Sequence, residues 1–397
     1  MRESRLRELL ADLVADVDSP PMTQRVWQAA QRSRRQRLVV GVAAAGVLLA
    51  GAGAAVADGA LDRRLTPDES SSVGPPVPSA PASAGPRVQA GPAPAAVAGL
   101  PHLPTRFAAL SSLPSSAGAL SKSPVSRIVA AVQPMNGPVF VLDQDGSWRE
   151  ADRGLGAGPG EGLSLISTSI SPDARRLALA RTDGLLLIDA TTGNRRLVRL
   201  PGTMGHIDGL FWLPDGNRVA VVGDGGEGIV STTDGSYRGT PDQVHDLAVS
   251  GPDDAVVRLT DSELVVQDGG ATVRRRYGTG DQVILDEWYD AGWVSGSLAA
   301  RTGFLDDGEQ ATFVIDVATA RATQLLTFAT GGPPAKRSQG CCPVLGWLDA
   351  QTVLVRDGGQ VLAWRFGSGV VYRVARLPGT AQGSDLGYGA AIALAQS

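Results

Sequence analysis

The chain has 397 residues and a formal net charge of −4 at pH 7. Its first 37 residues carry eight arginines against five acidic residues, so the acidic excess lies in the rest of the chain. Because nucleic-acid binding needs a basic surface that neutralises phosphates, this balance argues against a nucleic-acid partner for the large C-terminal part.

Residues 1–37 are predicted to form a cytoplasmic amphipathic helical tail. Pro20 and Pro21 end a first helix, and residues 22–30 indicate a second one. Two short helices cannot bury their apolar stripes alone, so we expect the tail to bind a protein partner or to self-associate. The apolar residues of the first helix recur at three- and four-residue intervals and are Leu6, Leu9, Leu10, Leu13, Val14 and Val17.

Residues 38–57 read LVVGVAAAGVLLAGAGAAVA and contain no charge. Twenty helical residues span about 30 Å of hydrocarbon, which predicts one transmembrane helix and the lipid bilayer as a partner. Arginines precede the span, so the positive-inside rule places the N-terminus in the cytoplasm and the C-terminal domain outside, as a single-pass cell-membrane protein. The alternative is a secretory signal that is cleaved after Ala57.

The order of these segments resembles the N-terminal ends of actinobacterial membrane-anchored anti-sigma-like proteins. The resemblance covers residues 1–60 and implies a cytoplasmic partner such as a sigma factor. The zinc-binding His-x3-Cys-x2-Cys pattern of many anti-sigma domains is missing, since the tail has neither His nor Cys. A helical stub that only flanks the anchor is the other interpretation.

Residues 58–104 are predicted to be a linker. The stretch is rich in Pro, Ala, Gly and Ser and has few large apolar residues, so it cannot offset the entropy of ordering. Such a composition favours extended conformations that hold a folded domain away from the bilayer.

Residues 105–397 contain a repeated corner motif. The segment around Pro172 and Asp173 aligns with that around Pro214 and Asp215, and copies recur at Pro124, Pro252 and Asp253, Asp290, and Asp349. The first four corner prolines are 48, 42 and 38 residues apart, close to the roughly 40 to 45 residues of a four-stranded propeller blade. Six corners predict an all-β fold, a β-propeller of about six four-stranded blades.

The ISPD and WLPDG corners and the DATTG hairpin resemble the blades of TolB-like and WD-repeat propellers. The resemblance covers some 270 residues, although the Trp-Asp dipeptide that ends true WD repeats is absent. Within this fold the corner Asp residues are interpreted as turn formers, and the terminal run 386–395 is expected to close the ring by pairing in the first blade. Trp212, Trp288, Trp293 and Trp347 are expected to pack between blades.

Cys341 and Cys342 are adjacent and are the only cysteines, so the one possible disulfide within the chain is vicinal. Two buried thiols are the main alternative, and an intermolecular or metal-binding role comes last. The pair ends the insertion at residues 329–343, the segment that we single out as a specific binding feature.

No other group of residues predicts a catalytic, cofactor or metal site. His206 and His245 are the only histidines of the predicted propeller, too few for a three-histidine metal site. We therefore expect a non-catalytic extracytoplasmic binding or sensing module with an unknown extracytoplasmic ligand. The alternatives are a propeller enzyme of the hydrolase or lactonase type and a structural cell-surface protein.

Overall fold

The structure is a computed structural model that describes residues 86–91, 94–135, 137–153, 163–240, 244–251, 255–268, 270–277, 285–305, 309–328, 342–377 and 390–396. These residues all belong to one unit, Ala84–Ser397. The predicted tail and the predicted span lie outside the described residues. Within the described ranges, no helix is long and apolar enough to cross a membrane.

The described part of the chain is built from short β-strands and four one- to two-turn 3-10 helices. The strands are β1 Arg87–Ala90, β2 Gly118–Ala119, β3 Ile128–Pro134, β4 Val139–Asp143, β5 Trp148–Asp152, β6 Arg176–Arg181, β7 Gly184–Asp189, β8 Arg195–Val198, β9 Ile207–Trp212, β10 Arg218–Gly223, β11 Gly226–Ser231, β12 Tyr237–Gly239, β13 Ala248–Val249, β14 Val256–Leu259, β15 Glu263–Asp268, β16 Ala271–Arg276, β17 Leu285–Ser295, β18 Leu298–Leu305, β19 Gln310–Asp316, β20 Arg321–Phe328, β21 Val344–Asp349, β22 Thr352–Asp357, β23 Gln360–Arg365, β24 Val370–Arg376 and β25 Ala390–Leu394. The 3-10 helices are η1 Pro94–Gly99, η2 Ala108–Ser112, η3 Gly202–Met204 and η4 Val244–Asp246.

These strands form six sheets that follow one another along the chain. In spatial order they are sheet 1 (β2-β5-β4-β3-β25), sheet 2 (β6-β7-β8), sheet 3 (β12-β11-β10-β9), sheet 4 (β14-β15-β16), sheet 5 (β1-β20-β19-β18-β17-β13) and sheet 6 (β21-β22-β23-β24). The all-β propeller predicted from the repeats is therefore confirmed. Sheets 2 and 4 hold three strands instead of the four of a complete blade, so the number of complete blades stays a prediction.

Apolar side chains fill the spaces between neighbouring sheets. Strands β3 and β4 are apolar along almost their whole length, since each sheet is covered on both faces. Separate apolar clusters join sheet 1 to sheet 2, sheet 2 to sheet 3, and sheet 4 to sheet 5. A larger cluster joins sheets 3, 5 and 6, and a last one joins sheet 6 back to sheet 1. The core is thus distributed around a ring.

The C-terminal strand closes this ring. Strand β25 pairs antiparallel with β3, with Ala390 opposite Pro134 and Leu394 opposite Ala130. Sheet 1 is therefore made from both ends of the domain, which leaves no open sheet between the first and last repeats. The prediction that the terminal run pairs in the first blade is confirmed.

Four tryptophans connect neighbouring sheets through their indole N–H groups, as expected for residues that pack between blades. The acceptors are backbone carbonyl oxygens, and the pairs are Trp212 to Ser169 (2.9 Å), Trp288 to Thr260 (2.7 Å), Trp293 to Val344 (2.7 Å) and Trp347 to Trp293 (3.1 Å). All four tryptophans are buried, so each indole N–H needs such an acceptor.

A segment that we call the belt, residues 86–91 and 94–119, lies along the edges of three sheets. Strand β1 pairs parallel with β20 of sheet 5, and β2 pairs parallel with β5 of sheet 1. Between them, His102 forms a parallel bridge to Arg373 at the edge of sheet 6. The described end of the predicted linker, residues 86–91 and 94–104, thus lies against the propeller. The sheet edges supply hydrogen-bond partners for its backbone.

Candidate functional site

Three of the corner residues singled out in the sequence, Asp173, Asp215 and Asp349, lie at or beside turns. Pro172 and Asp173 lie before β6, and the Asp173 Oδ1 accepts hydrogen bonds from Ser171 Oγ (2.6 Å) and the Arg175 amide (3.1 Å). Asp215, after Pro214, accepts from the Asn217 amide at 2.8 Å, and Asp349 accepts from the Gln351 amide at 2.8 Å. Carboxylates engaged in this way stabilise turns. Pro124 lies just before β3, and Pro252 and Asp253 lie outside the described residues.

Asp290 does not lie at a corner as predicted. It is inside the 11-residue strand β17, where the pairing with β18 is interrupted between Tyr289 and Trp293. Its φ is 58°, and its carboxylate accepts a hydrogen bond from the Ala291 amide at 2.7 Å. The turn between β17 and β18 comes later, at Gly296. The sequence motif therefore corresponds to a β-bulge. A bulge, like a tight turn, can contain a residue with positive φ, which is the conformation of Asp290.

Cys342 is buried just before β21, whereas Cys341 and the insertion at residues 329–341 lie outside the described residues. Cys342 has a φ of 72°, and its carbonyl oxygen accepts a hydrogen bond from Thr302 Oγ1 at 2.8 Å. Cys342, the one cysteine among the described residues, is not a free thiol. The vicinal disulfide stays a prediction.

A set of four ionisable side chains, the charged cluster, lies between sheets 3, 4 and 5. Its members are Glu227 in β11, His245 and Asp246 in η4, and Arg301 in β18. The imidazole Nδ1 lies 2.8 Å from Glu227 Oε1, and Nε2 lies 3.3 Å from Asp246 Oδ2. Arg301 Nη1 lies 3.8 Å from the other oxygen of Asp246. The charges alternate in sign from one end of the cluster to the other.

Arg301 is held on several sides in the protein interior, with only 4% of its side chain exposed. Its Nε donates to the Asp290 carbonyl oxygen at 2.8 Å, and its Nη1 donates to the Leu259 carbonyl oxygen. The guanidinium also lies over the Trp288 ring, 5.6 Å from its centroid. A buried cation needs such partners, and here they come from two sheets.

The pairing determines the protonation state of His245. Hydrogen bonds to Asp246 and then to Glu227 raise the pKa of His245 to about 9. The ring is therefore an imidazolium at neutral pH, and both of its nitrogens face carboxylates. A general base needs a free ring nitrogen to accept a proton from a substrate. Neither ring nitrogen of His245 is free for this role. Through its ion pairs and the hydrogen bond of Arg301 to Leu259, the charged cluster connects sheets 3, 4 and 5.

Sequence patterns indicate no special role for His245 and do not single out Glu227, Asp246 or Arg301. These side chains come from a strand, a 3-10 helix and another strand that are far apart in the chain. One sequence signal was available: Arg301 lies in LAARTGFL, an otherwise apolar strand. A charge in the middle of a buried strand requires a partner elsewhere in the fold.

The glycine-rich run Gly223–Gly228 is explained by packing. A Cβ atom at Gly223 would lie 2.6 Å from the Met204 carbonyl oxygen, and one at Gly228 would lie 2.6 Å from the Tyr237 hydroxyl. Both positions therefore exclude larger residues. Close by, His206 Nε2 lies 3.7 Å from Asp208 Oδ1. Within the described ranges, no three His, Cys, Asp or Glu residues are arranged to hold a metal ion.

No protein-family model matches the chain, and no curated protein matches it. Among solved structures, PorZ of Porphyromonas gingivalis, a surface component of the type-IX secretion system, is 13% identical with a TM-score of 0.38; the match covers 63% of this chain and 33% of PorZ. Oligogalacturonate lyase from Vibrio parahaemolyticus is 10% identical with a TM-score of 0.41, over 63% of this chain and 79% of the lyase. Puromycin hydrolase is 16% identical with a TM-score of 0.33, over 49% and 34%. Likeness at this level does not extend to activity or ligand.

Proposed function

We propose that the chain is a membrane-anchored extracytoplasmic β-propeller that acts as a non-catalytic binding or sensing module. Residues 38–57 serve as the anchor, and the tail, residues 1–37, binds a cytoplasmic protein such as a sigma factor. The uncharged length of the span and the arginines before it support this orientation.

The observation that favours a non-catalytic interpretation is the internal pairing of the charged cluster. It brings together the types of side chain that hydrolases use, yet each member faces a partner within the cluster. A catalytic group of this kind would need a free ring nitrogen or carboxylate directed at a substrate. The pairing therefore supports a structural role, and not a catalytic one, for these four side chains.

The belt supports a sensing role for the propeller. It is continuous with the predicted linker, and through β1 it is hydrogen-bonded to sheet 5. A ligand that changes the position of the belt would act directly on the segment that leads to the span. A shift of this kind needs different ligand affinities for the two belt positions.

The proposal is tested with a photo-crosslinking residue placed at Leu9 of the full-length protein in native membranes. Leu9 lies on the apolar stripe of the predicted tail helix, and Asp12 lies on its polar face, so a crosslinker at Asp12 is the matched control. We expect one discrete adduct from Leu9 and none from Asp12. Equal labelling from both positions, or no adduct from Leu9, contradicts a partner on the apolar stripe.

A further inference from the structure

A cavity of about 300 Å³ lies between the belt and the outer strand of sheet 6. The belt is held there by backbone hydrogen bonds in both directions, from the Leu103 amide to the Arg373 carbonyl oxygen and from the Arg373 amide to the Pro101 carbonyl oxygen, both 2.9 Å. The Arg376 amide adds a third, to Ser111 Oγ at 3.1 Å. The volume is at the lower end for a ligand pocket, so it suits a compound no larger than about a monosaccharide.

The wall of this cavity is positively charged. Arg373 and Arg376 from β24 and His102 from the belt line it, and none of the described lining residues is acidic. One nitrogen of Arg373 donates to the Ala98 carbonyl oxygen at 3.1 Å, which fixes the guanidinium and leaves its other N–H groups available. Guanidinium groups bind carboxylate and phosphate oxygens in a bidentate manner. The cavity therefore favours an anion.

Gln360 adds a polar group without a partner. Its side-chain oxygen is buried in the cavity region and accepts no hydrogen bond from any described residue. Gln360 lies directly opposite Arg376 in the pairing of β23 with β24. Since this oxygen is not accessible from the cavity, the polar contacts available to a ligand are those of Arg373 and Arg376.

We propose that this cavity binds a small organic anion, with Arg373 and Arg376 holding its carboxylate or phosphate. The inference rests on the proposed binding function and names its ligand class. Because the belt forms one wall, an occupied cavity holds the belt against sheet 6.

The test is calorimetric titration of the purified full-length protein with glucuronate, glucose 6-phosphate, inorganic phosphate and glucose. We expect glucuronate or glucose 6-phosphate to bind more tightly than inorganic phosphate, and neutral glucose not to bind. Binding of only one of the two sugar anions assigns the anionic group as carboxylate or phosphate. Arg376→Gln should weaken binding at least about tenfold, since it removes charge-assisted hydrogen bonds.

Arg276→Gln is the matched control, because Arg276 ends the edge strand of sheet 4 as Arg376 ends that of sheet 6. It should leave binding unchanged. If the Gln variant at position 376 does not fold, Arg376→Lys is compared instead and should bind more weakly than the wild type. No binding of any anion, or equal affinities in wild type and Arg376 variants, overturns the site. Tail crosslinking would be unaffected by that result and tests the proposed function separately.

Discussion

At the residue scale, His245 links protonation to the stability of the propeller. Its pKa is raised from 6.5 to about 9 in the folded protein, so the folded state binds the proton more tightly than the unfolded state. The resulting stabilisation is complete below about pH 6.5 and is lost as the pH rises through about 9.

We therefore predict that His245→Gln removes a pH-dependent part of the unfolding free energy. At pH 6.5 the variant should be less stable than the wild type by roughly 1 to 3 kcal/mol, because Glu227 and Asp246 lose a partly buried cation. The difference should shrink steadily as the pH rises to about 10. Chemical denaturation at a series of pH values measures both curves.

The difference between the two curves isolates His245, since both proteins keep His102 and His206. A difference that stays constant from pH 6 to pH 10 would show that the ring contributes only packing. A stability difference that grows with pH would be opposite to the predicted trend and would contradict the pairing of an imidazolium with Asp246 and Glu227.

Single residues were predictable from the sequence where their role is local. Asp173 and Asp215 lie in short motifs, and their carboxylates bind amides two residues away. The charged cluster was not predictable, because Glu227, His245 and Arg301 meet only after three sheets have packed together. Their pairing depends on tertiary structure that no local pattern encodes.

At the scale of elements, the closing strand and the belt differ in how far the sequence predicts them. Strand β25 is a continuous run of small and apolar residues next to polar segments, and such a run indicates a buried strand. Strand β1 reads RVQA and is mostly exposed, so it shows no such pattern. It is ordered by the edge of β20, which explains why the linker was predicted to extend to residue 104.

Gln89 attaches β1 to sheet 6 together with a longer hydrogen bond from Arg87 Nη1 to the Gly367 carbonyl oxygen (3.4 Å). The Gln89 side-chain oxygen accepts a hydrogen bond from the Trp364 indole at 2.9 Å, and its nitrogen donates to the Gly369 carbonyl oxygen. We predict that Gln89→Leu releases β1, since the buried indole N–H then has no acceptor, at a cost of about 1 to 3 kcal/mol. Hydrogen–deuterium exchange should become faster in residues 86–104 and remain unchanged in β3.

Val88→Ala is the control for this variant, because the neighbouring side chain is 59% exposed and makes no such bond. Its exchange rates should match those of the wild type. If both variants, or neither, accelerate exchange in the belt, then the hydrogen bonds of Gln89 do not hold β1 in place.

At the scale of the whole molecule, the fold follows from repetition. Corner motifs at nearly regular spacing predicted a propeller, and six sheets with apolar clusters between successive members agree with that architecture. The regular spacing was predictable because each repeat must bury its faces against the next. The bulge at Asp290 was not predictable, since a residue with positive φ occurs both in turns and in bulges.

Protease digestion of intact cells tests the proposed anchor and its orientation most directly. Cells that carry the full chain are treated with trypsin before or after lysis, and the cleaved peptides are identified by mass. We predict that peptides from residues 105–397 are released from intact cells, whereas the arginines of residues 1–37 are cleaved only after lysis. Cleavage of the propeller only after lysis, or recovery of a soluble chain that begins at Asp58, would contradict a single-pass anchor with the propeller outside.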